Sequence, residues 1–308
     1  MSKNNVIAIM VSDLHLTLNA PICRKEDDWL DVQAGYLQQL KTLQEEHSNC
    51  PIFCAGDIFD KWNPPHELVN FALEHLPDNM LTVPGQHDLP NHRIEDMHRS
   101  GYGVLVNCGK ISDLSGGACE YLLFDTIVRG FGWGEEIEPL EASSKFRNMV
   151  LMAHEYIWIR GKSYPGASNN AKLTDKKSSR FFNYTHALFG DNHKGFLTKC
   201  GKCQVYNNGT FIRRKSDEIV YEPTVALLYE EGDVQIHHLD TRKDEFVDAE
   251  LFVEKESVDI TQFIEELKGM QESGLNFVEA VENHIRSDGK KLSKETKNYI
   301  IKALKDDE

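Results

Sequence analysis

The chain has 308 residues, of which 40% are hydrophobic and 27% charged, a composition that excludes a disordered or collagen-like polymer. Its 34 basic and 49 acidic residues give a formal charge of -15, which argues against broad binding to polyanions but allows a local basic groove. The seven cysteines are odd in number and scattered, as in a reducing compartment. No run approaches the roughly 20 apolar residues of a membrane span, and "MSKNNVIAIMVSDLHL" lacks the pattern of a signal peptide. A cytoplasmic protein is expected.

In chain order, "VIAIMV" (Val6 to Val11) reads as a buried strand, and Tyr36 to Glu46 as a helix with Tyr36, Leu37, Leu40 and Leu43 on one face. "PIFCA", "HELVNFALEHL" and "MLTVPG" then read as strand, helix and strand, an order that implies parallel pairing through helical crossovers. The second half is richer in strands: "GVLVNC", "EYLLFDTIVRGFGW", "NMVLMAH", "HALFGD", "CQVYNNG", "TVALLYEE" and "VQIHHLD". Few helices separate them, so a second sheet packed on the first is expected. Gly161 to Ser179 reads as a long surface loop. Cys200 and Cys203 form a lone CxxC without a second pair, which favours a hairpin turn over a zinc site. From Asp259, with Gln262 in capping-box position, the chain is charged and helical in period to Leu304. The expected division is a catalytic domain over 1–240 and a small, mainly helical extension over 241–308.

"ALFGDNHKGF" places Asp191, Asn192 and His193 at the mouth of an apolar strand, where carboxylate and imidazole are costly unless a cation compensates them. Four other strand ends carry similar chemistry: Asp13 and His15 in "VSDLHL", Asp57 and Asp60 in "AGDIFD", Gln86 and His87 in "PGQHD", and His154 in "LMAHEY". Taken singly, each has a plain reading as a turn, a helix cap or a core histidine. Together they match the tendency of parallel sheets to gather ligands at the carboxyl ends of their strands.

The series Asp13-x-His15, Gly56-Asp57-x-x-Asp60, Gly85-Gln86-His87-Asp88, His154 and Gly190-Asp191-Asn192-His193 resembles the signature of the calcineurin-like metallophosphoesterase superfamily. The resemblance runs from about residue 6 to 212 and includes "YNNGT". It implies an α/β (α+β) fold, a two-sheet β-sandwich flanked by helices. It also implies two divalent ions, the first held by Asp13, His15, Asp57 and His193 and the second by Asp57, Gln86, His154 and Asp191. His87 would act on the leaving group, oriented by Asp60. Gln86 and Asp191 depart from the asparagine and histidine of the family pattern, and an oxygen-richer site leans towards manganese, with magnesium, iron or zinc as alternatives.

"SDLHL", "GDIFDKW" and "HDLP" are most similar to SbcD-like DNA repair exonucleases, which implies a DNA substrate and an SbcC-like coiled-coil ATPase partner. A phosphodiesterase or phosphatase for small nucleotides, and a non-catalytic scaffold, are the alternatives. A homodimer stays open. Lys172, Lys176, Lys177, Arg180, Lys194, Arg213, Arg214 and Lys215 are candidates for a phosphate-tracking stripe, and Trp62, Trp133, Tyr156 and Trp158 for base stacking.

Overall fold

The computed structural model describes residues 5–122, 124–141, 143–174, 179–181 and 183–247. Val6–Val11 (β1), Ile52–Cys54 (β2), Met80–Thr82 (β3) and Ile111–Asp113 (β4) lie parallel in one sheet. Thr224–Tyr229 (β11) and Val234–His238 (β12) extend it antiparallel beyond β1. The second sheet is built on Thr126–Phe131 (β6), Asn148–Ala153 (β7), His186–Phe189 (β8) and Cys203–Asn207 (β10), again parallel. Cys119–Leu122 (β5) and Phe196–Cys200 (β9) close its two edges as antiparallel strands. The expected sandwich is therefore present, with helices Trp29–Glu46 (α1), His66–His75 (α2) and Gly101–Asn107 (α3).

Central strands of a parallel sheet covered on both faces read as unbroken apolar runs, and β1 is buried throughout. A register irregularity between Val6 and Ala8 puts Ile7, Ala8 and Met10 between the sheets, while Ile9 and Val11 face the helices. The inter-sheet layer adds Phe53, Leu81, Val128, Val150, Met152, Leu188 and Tyr206. The register leaves Val11, Cys54 and Thr82 level, so the loops after β1, β2 and β3 start from one edge.

Three elements differ from expectation. Helix α1 begins at Trp29, seven residues early, because the Asp28 carboxylate accepts from the backbone N–H groups of Leu30 (2.9 Å) and Asp31 (3.1 Å). "GVLVNC" is helical rather than a strand: Ser100 caps it through Gly103 N at 3.1 Å, and an apolar run this short has no diagnostic period. "EYLLFDTIVRGFGW" is a hairpin, β5 to β6, turned by Phe124 and Asp125 in the left-handed region. The CxxC is a hairpin, as expected, with buried Cys200 and Cys203 as cross-strand partners. Among the described residues no helix is long and apolar enough to cross a membrane.

Of the expected extension, residues 241–247 pack on the body; the remainder, including Asp259 and Gln262, lies outside the described residues. Arg24, whose side chain is 0% exposed, joins Glu26 to Asp244 and lies 4.8 Å from the Phe246 ring. Tyr36 also donates to Asp244 at 2.8 Å. Removing one partner of a buried ion pair strands the others, at about 3–5 kcal/mol. Arg24→Ala is therefore expected to lower the stability of the 308-residue chain by that amount, read from the urea midpoint at unchanged slope.

Candidate metal centre

The expected residues converge at the carboxyl ends of both sheets, on backbone that few side chains adopt readily. Asp13 (φ 56°), His15 (φ 46°), Asp57 (φ 53°) and Asp191 (φ 74°) all lie in the left-handed region. Such conformations persist only where the surroundings overdetermine them. Here Asp13 N donates to Gly56 O and His15 N to Asp57 O, both at 2.9 Å, locking the β1 and β2 loops together. Three glycines permit the approach. A Cβ at Gly56 would overlap His154 Nδ1 and come within 2.8 Å of Gly85 N. One at Gly85 would overlap the Asp57 carboxylate and lie 2.6 Å from Asp57 N, and one at Gly190 would overlap Ala55 O and lie 2.9 Å from His154 Cε1.

Asp57 Oδ2 is the hub. It lies 3.5 Å from both His15 Nε2 and His154 Nε2, and it is buried without a hydrogen-bond partner. On one side, His15 Nε2 and His193 Nε2 are 3.1 Å apart, each 3.8 Å from Asp13 Oδ1. On the other, His154 Nε2 and Gln86 Oε1 are also buried and unpartnered, while Gln86 Nε2 donates to Asp191 Oδ1 at 2.7 Å. His154 Nδ1 donates to Ala55 O at 2.5 Å, which leaves Nε2 as the nitrogen that could ligate. Buried carboxylate and imidazole atoms this close are a donor set for cations, so Asp13, His15, Asp57, His154 and His193 fit divalent ions.

The electrostatics agree. Burial, reinforced by Asp57 and Asp191, pushes the Asp13 carboxyl up to about 7. Burial disfavours charge on His154 as well, yet Asp57 beside it overcomes that and holds the imidazole protonated, up to about 10. Asp57 correspondingly lies below the usual carboxylate range despite its burial. Burial first, then the Arg214 charge, lowers His15 to about 4, and burial with His15, Lys215 and Arg214 holds His193 well below its ordinary value. Both imidazoles are thus neutral near pH 7, with lone pairs available. A divalent cation would supply the charge that His154 otherwise carries.

His87 is half-buried, anchored by its N–H to Asp57 Oδ1 at 2.9 Å, with its ring 4.9 Å from that of His15. Asp60 reaches it through its backbone and not its carboxylate. His87 Nδ1 meets the backbone oxygen of Asp60 at 2.8 Å, whereas the Asp60 carboxylate turns to Arg214 (2.6 Å) and His15 Nδ1 (3.4 Å) because those are the cationic and imidazole groups in reach.

Among the described residues of the expected basic stripe, several are engaged within the protein. Arg213 is 11% exposed and bonds to Asp244 Oδ2, Ile219 O and Thr241 O, so it braces the loop. Arg180 pairs with Glu155 through both terminal nitrogens, and Lys172 lies over Trp158. Lys194 and Lys215 flank the Tyr164 ring at 5.1 and 5.7 Å, and Lys194 also donates to Ser163 O. Lys176 and Lys177 lie outside the described residues. Trp133 sits 6.2 Å from His154.

Sequence reasoning missed the work of Asp88, Ser12 and Asn208. Buried Asp88 accepts from Ile58, Phe59 and Gly85 N–H at 3.0–3.2 Å and ties the β2 and β3 loops together. Ser12 Oγ joins Asp13 to Asn208 Oδ1. The adjacency of Asp88 to His87 and of Asn208 to the β10 strand end were the available signals.

Because Asp57 N cannot yield cheaply to a methyl group, Gly85→Ala is expected to displace the hub. Titration calorimetry with Mn²⁺ should show affinity reduced at least about tenfold; parental affinity would mean the Gly85–Asp57 approach is not needed for binding.

Residues 8–195, more than half of the chain, match the sequence pattern of the calcineurin-like phosphoesterases. No curated protein sequence matches significantly. Among solved structures, the sulfate thiohydrolase SoxB of Thermus thermophilus is 11% identical, with 75% of this chain and 56% of that one aligned at a TM-score of 0.47. A putative 5′-nucleotidase from Staphylococcus aureus is 12% identical over 84% and 58% of the two chains, at 0.46. This chain thus spans a little over half the length of either. An archaeal phosphodiesterase is 11% identical over 75% and 99%, at 0.40. With its core matched by that pattern and laid out as two six-stranded sheets, the chain belongs to the calcineurin-like phosphoesterase family.

Proposed function

We propose that this chain is a phosphodiester hydrolase dependent on two divalent ions, manganese foremost, acting on a small nucleotide diester. The observation that carries the reading is Asp57 Oδ2, unpartnered and equidistant at 3.5 Å from His15 Nε2 and His154 Nε2. Asp13, His15, Asp57 and His193 would hold one ion, and Asp57, Gln86, His154 and Asp191 the other. Bound there, the ions supply Lewis acidity towards water and the phosphoryl oxygens.

The protein's own contribution is positional. Asp60 O accepts from His87 Nδ1–H, so Nε2 would donate towards the leaving-group oxygen from the doubly protonated ring. Asp88 and the glycines hold the loops in register while Lys194 and Lys215 present positive charge beside the His193 loop.

A compact substrate is favoured because, among the described residues, Arg213 and Arg180 are engaged within the protein while Lys194 and Lys215 gather beside Tyr164. The second reading is a DNA nuclease of SbcD-like type with a coiled-coil ATPase partner, favoured by "SDLHL", "GDIFDKW" and "HDLP". A scaffold role lacks support, since His87 is held in place and a scaffold has no use for a positioned acid.

The test is incubation with Mn²⁺ and bis-p-nitrophenyl phosphate, cyclic dinucleotides, and labelled single- and double-stranded DNA in parallel. Cleavage of the generic diester and a dinucleotide is expected, with His87→Ala lowering kcat by roughly 10²–10⁴ at unchanged metal stoichiometry. DNA cut in preference to dinucleotides would replace the first reading with the second. No hydrolysis with any of them would overturn both.

A further inference from the structure

Asp60 meets two histidines of the site through two different groups. Its carboxylate Oδ1 lies 3.4 Å from buried His15 Nδ1, an ion-pair contact and not a formed hydrogen bond, and its backbone oxygen meets His87 Nδ1 at 2.8 Å. The carboxylate is 31% exposed, so water competes for it and the side chain has room to rotate. What restrains it is Arg214 Nη1, which donates to the same Oδ1 at 2.6 Å from a side chain only 13% exposed. A charged hydrogen bond of this length fixes direction as well as distance.

Arg214 is itself held from several directions. Its N–H donates to Glu218 Oε2 at 2.6 Å, and its carbonyl accepts from Cys23 Sγ at 3.2 Å. The preceding residue, Arg213, is bonded to Asp244, Ile219 O and Thr241 O, and its own carbonyl accepts from Arg24 at 2.7 Å. The loop after β10 therefore delivers a preset guanidinium to the loop after β2. Exposed Lys61, the residue that follows Asp60, has no part in this contact.

We infer that Arg214 is a positioning residue: it fixes the Asp60 carboxylate against His15 Nδ1 and thereby aims His15 Nε2 at the shared Asp57 oxygen. A histidine ligand depends on the partner of its second nitrogen for ring orientation and basicity, and losing such a partner typically costs 10–100-fold in metal affinity. The inference rests on the metal-centre reading above. It adds that the site is completed from the far side of the chain, by a residue with no ligating atom.

The test uses the full-length chain, Mn²⁺ alone, and titration calorimetry well below the melting temperature. Arg214→Gln is expected to weaken Mn²⁺ binding about 10–100-fold. Arg214→Lys should recover part of the loss, because it restores the charge but not the planar fork. Since Arg214 acts through Asp60, the double variant Arg214→Gln/Asp60→Asn should bind no more weakly than Asp60→Asn alone. Arg214→Gln binding within twofold of the parent, whatever its melting temperature, overturns the inference, and so does additive loss in the double variant. If Arg214→Gln does not fold, Arg214→Lys decides: undiminished affinity overturns. A parent that binds no Mn²⁺ would instead sink the metal-centre reading, and this inference with it.

Discussion

Everything at this end of the sandwich answers to the burial of two carboxylates beside one another. Asp13 and Asp57 are 1% and 0% exposed, and their neighbours in the cluster are imidazoles and a third carboxylate, Asp191. A buried carboxylate without compensation costs several kcal/mol, and a pair costs more because each raises the other. Arg214, the guanidinium that influences the cluster, bonds to Asp60 at the rim. Within the cluster, a proton on His154 offsets Asp57, yet Asp57 Oδ2, His154 Nε2 and Gln86 Oε1 still lack hydrogen-bond partners. Packing for stability alone would fill this space with apolar groups, as the chain does between its sheets with Phe53, Met152 and Leu188.

The same demand explains the backbone. Bringing strand ends from two sheets to one point requires turns tighter than ordinary side chains allow, and the chain meets this with left-handed Asp13, His15, Asp57 and Asp191. Each carries strain of order 1–3 kcal/mol, held by surrounding bonds rather than by local preference. Asp88 supplies such bonds, clamping three N–H groups from two loops through one buried carboxylate. Gly56, Gly85 and Gly190 supply the room. The strain sits at the chemistry and the bracing lies outside it, as expected where geometry rather than maximal stability is selected.

Sequence reading recovered the strand ends because burial and chemistry change abruptly there: an apolar run stops and a ligand-type residue follows within a few positions. It recovered the sandwich because central parallel strands are continuously apolar. It failed where local pattern is silent. "GVLVNC" satisfies helix and strand alike, and only the Ser100 cap decides. Arg213 and Arg214 are identical neighbours, and nothing local indicates that one braces Asp244 while the other reaches Asp60. Asp60 was correctly placed near His87, but a motif cannot tell whether the contact is made by carboxylate or carbonyl.

The two departures from the family pattern are intelligible as a pair. Aspartate at 191 brings a further negative charge into a site already holding Asp13 and Asp57, and burial raises its pKa. Gln86 answers that charge by donating Nε2–H at 2.7 Å. The amide has two ends, and once its nitrogen is committed to Asp191 its oxygen is the atom left buried and unpartnered. One side chain thus offsets part of the added charge while its oxygen stays free of hydrogen bonds. The extra methylene lets the amide span from its turn to Asp191 while remaining at the site. A shorter asparagine would have to give up one of these contacts unless the loop moved, and that loop is fixed by Asp88 through Gly85 N. Positions 86 and 191 thus act as one unit, although 105 residues separate them in the chain.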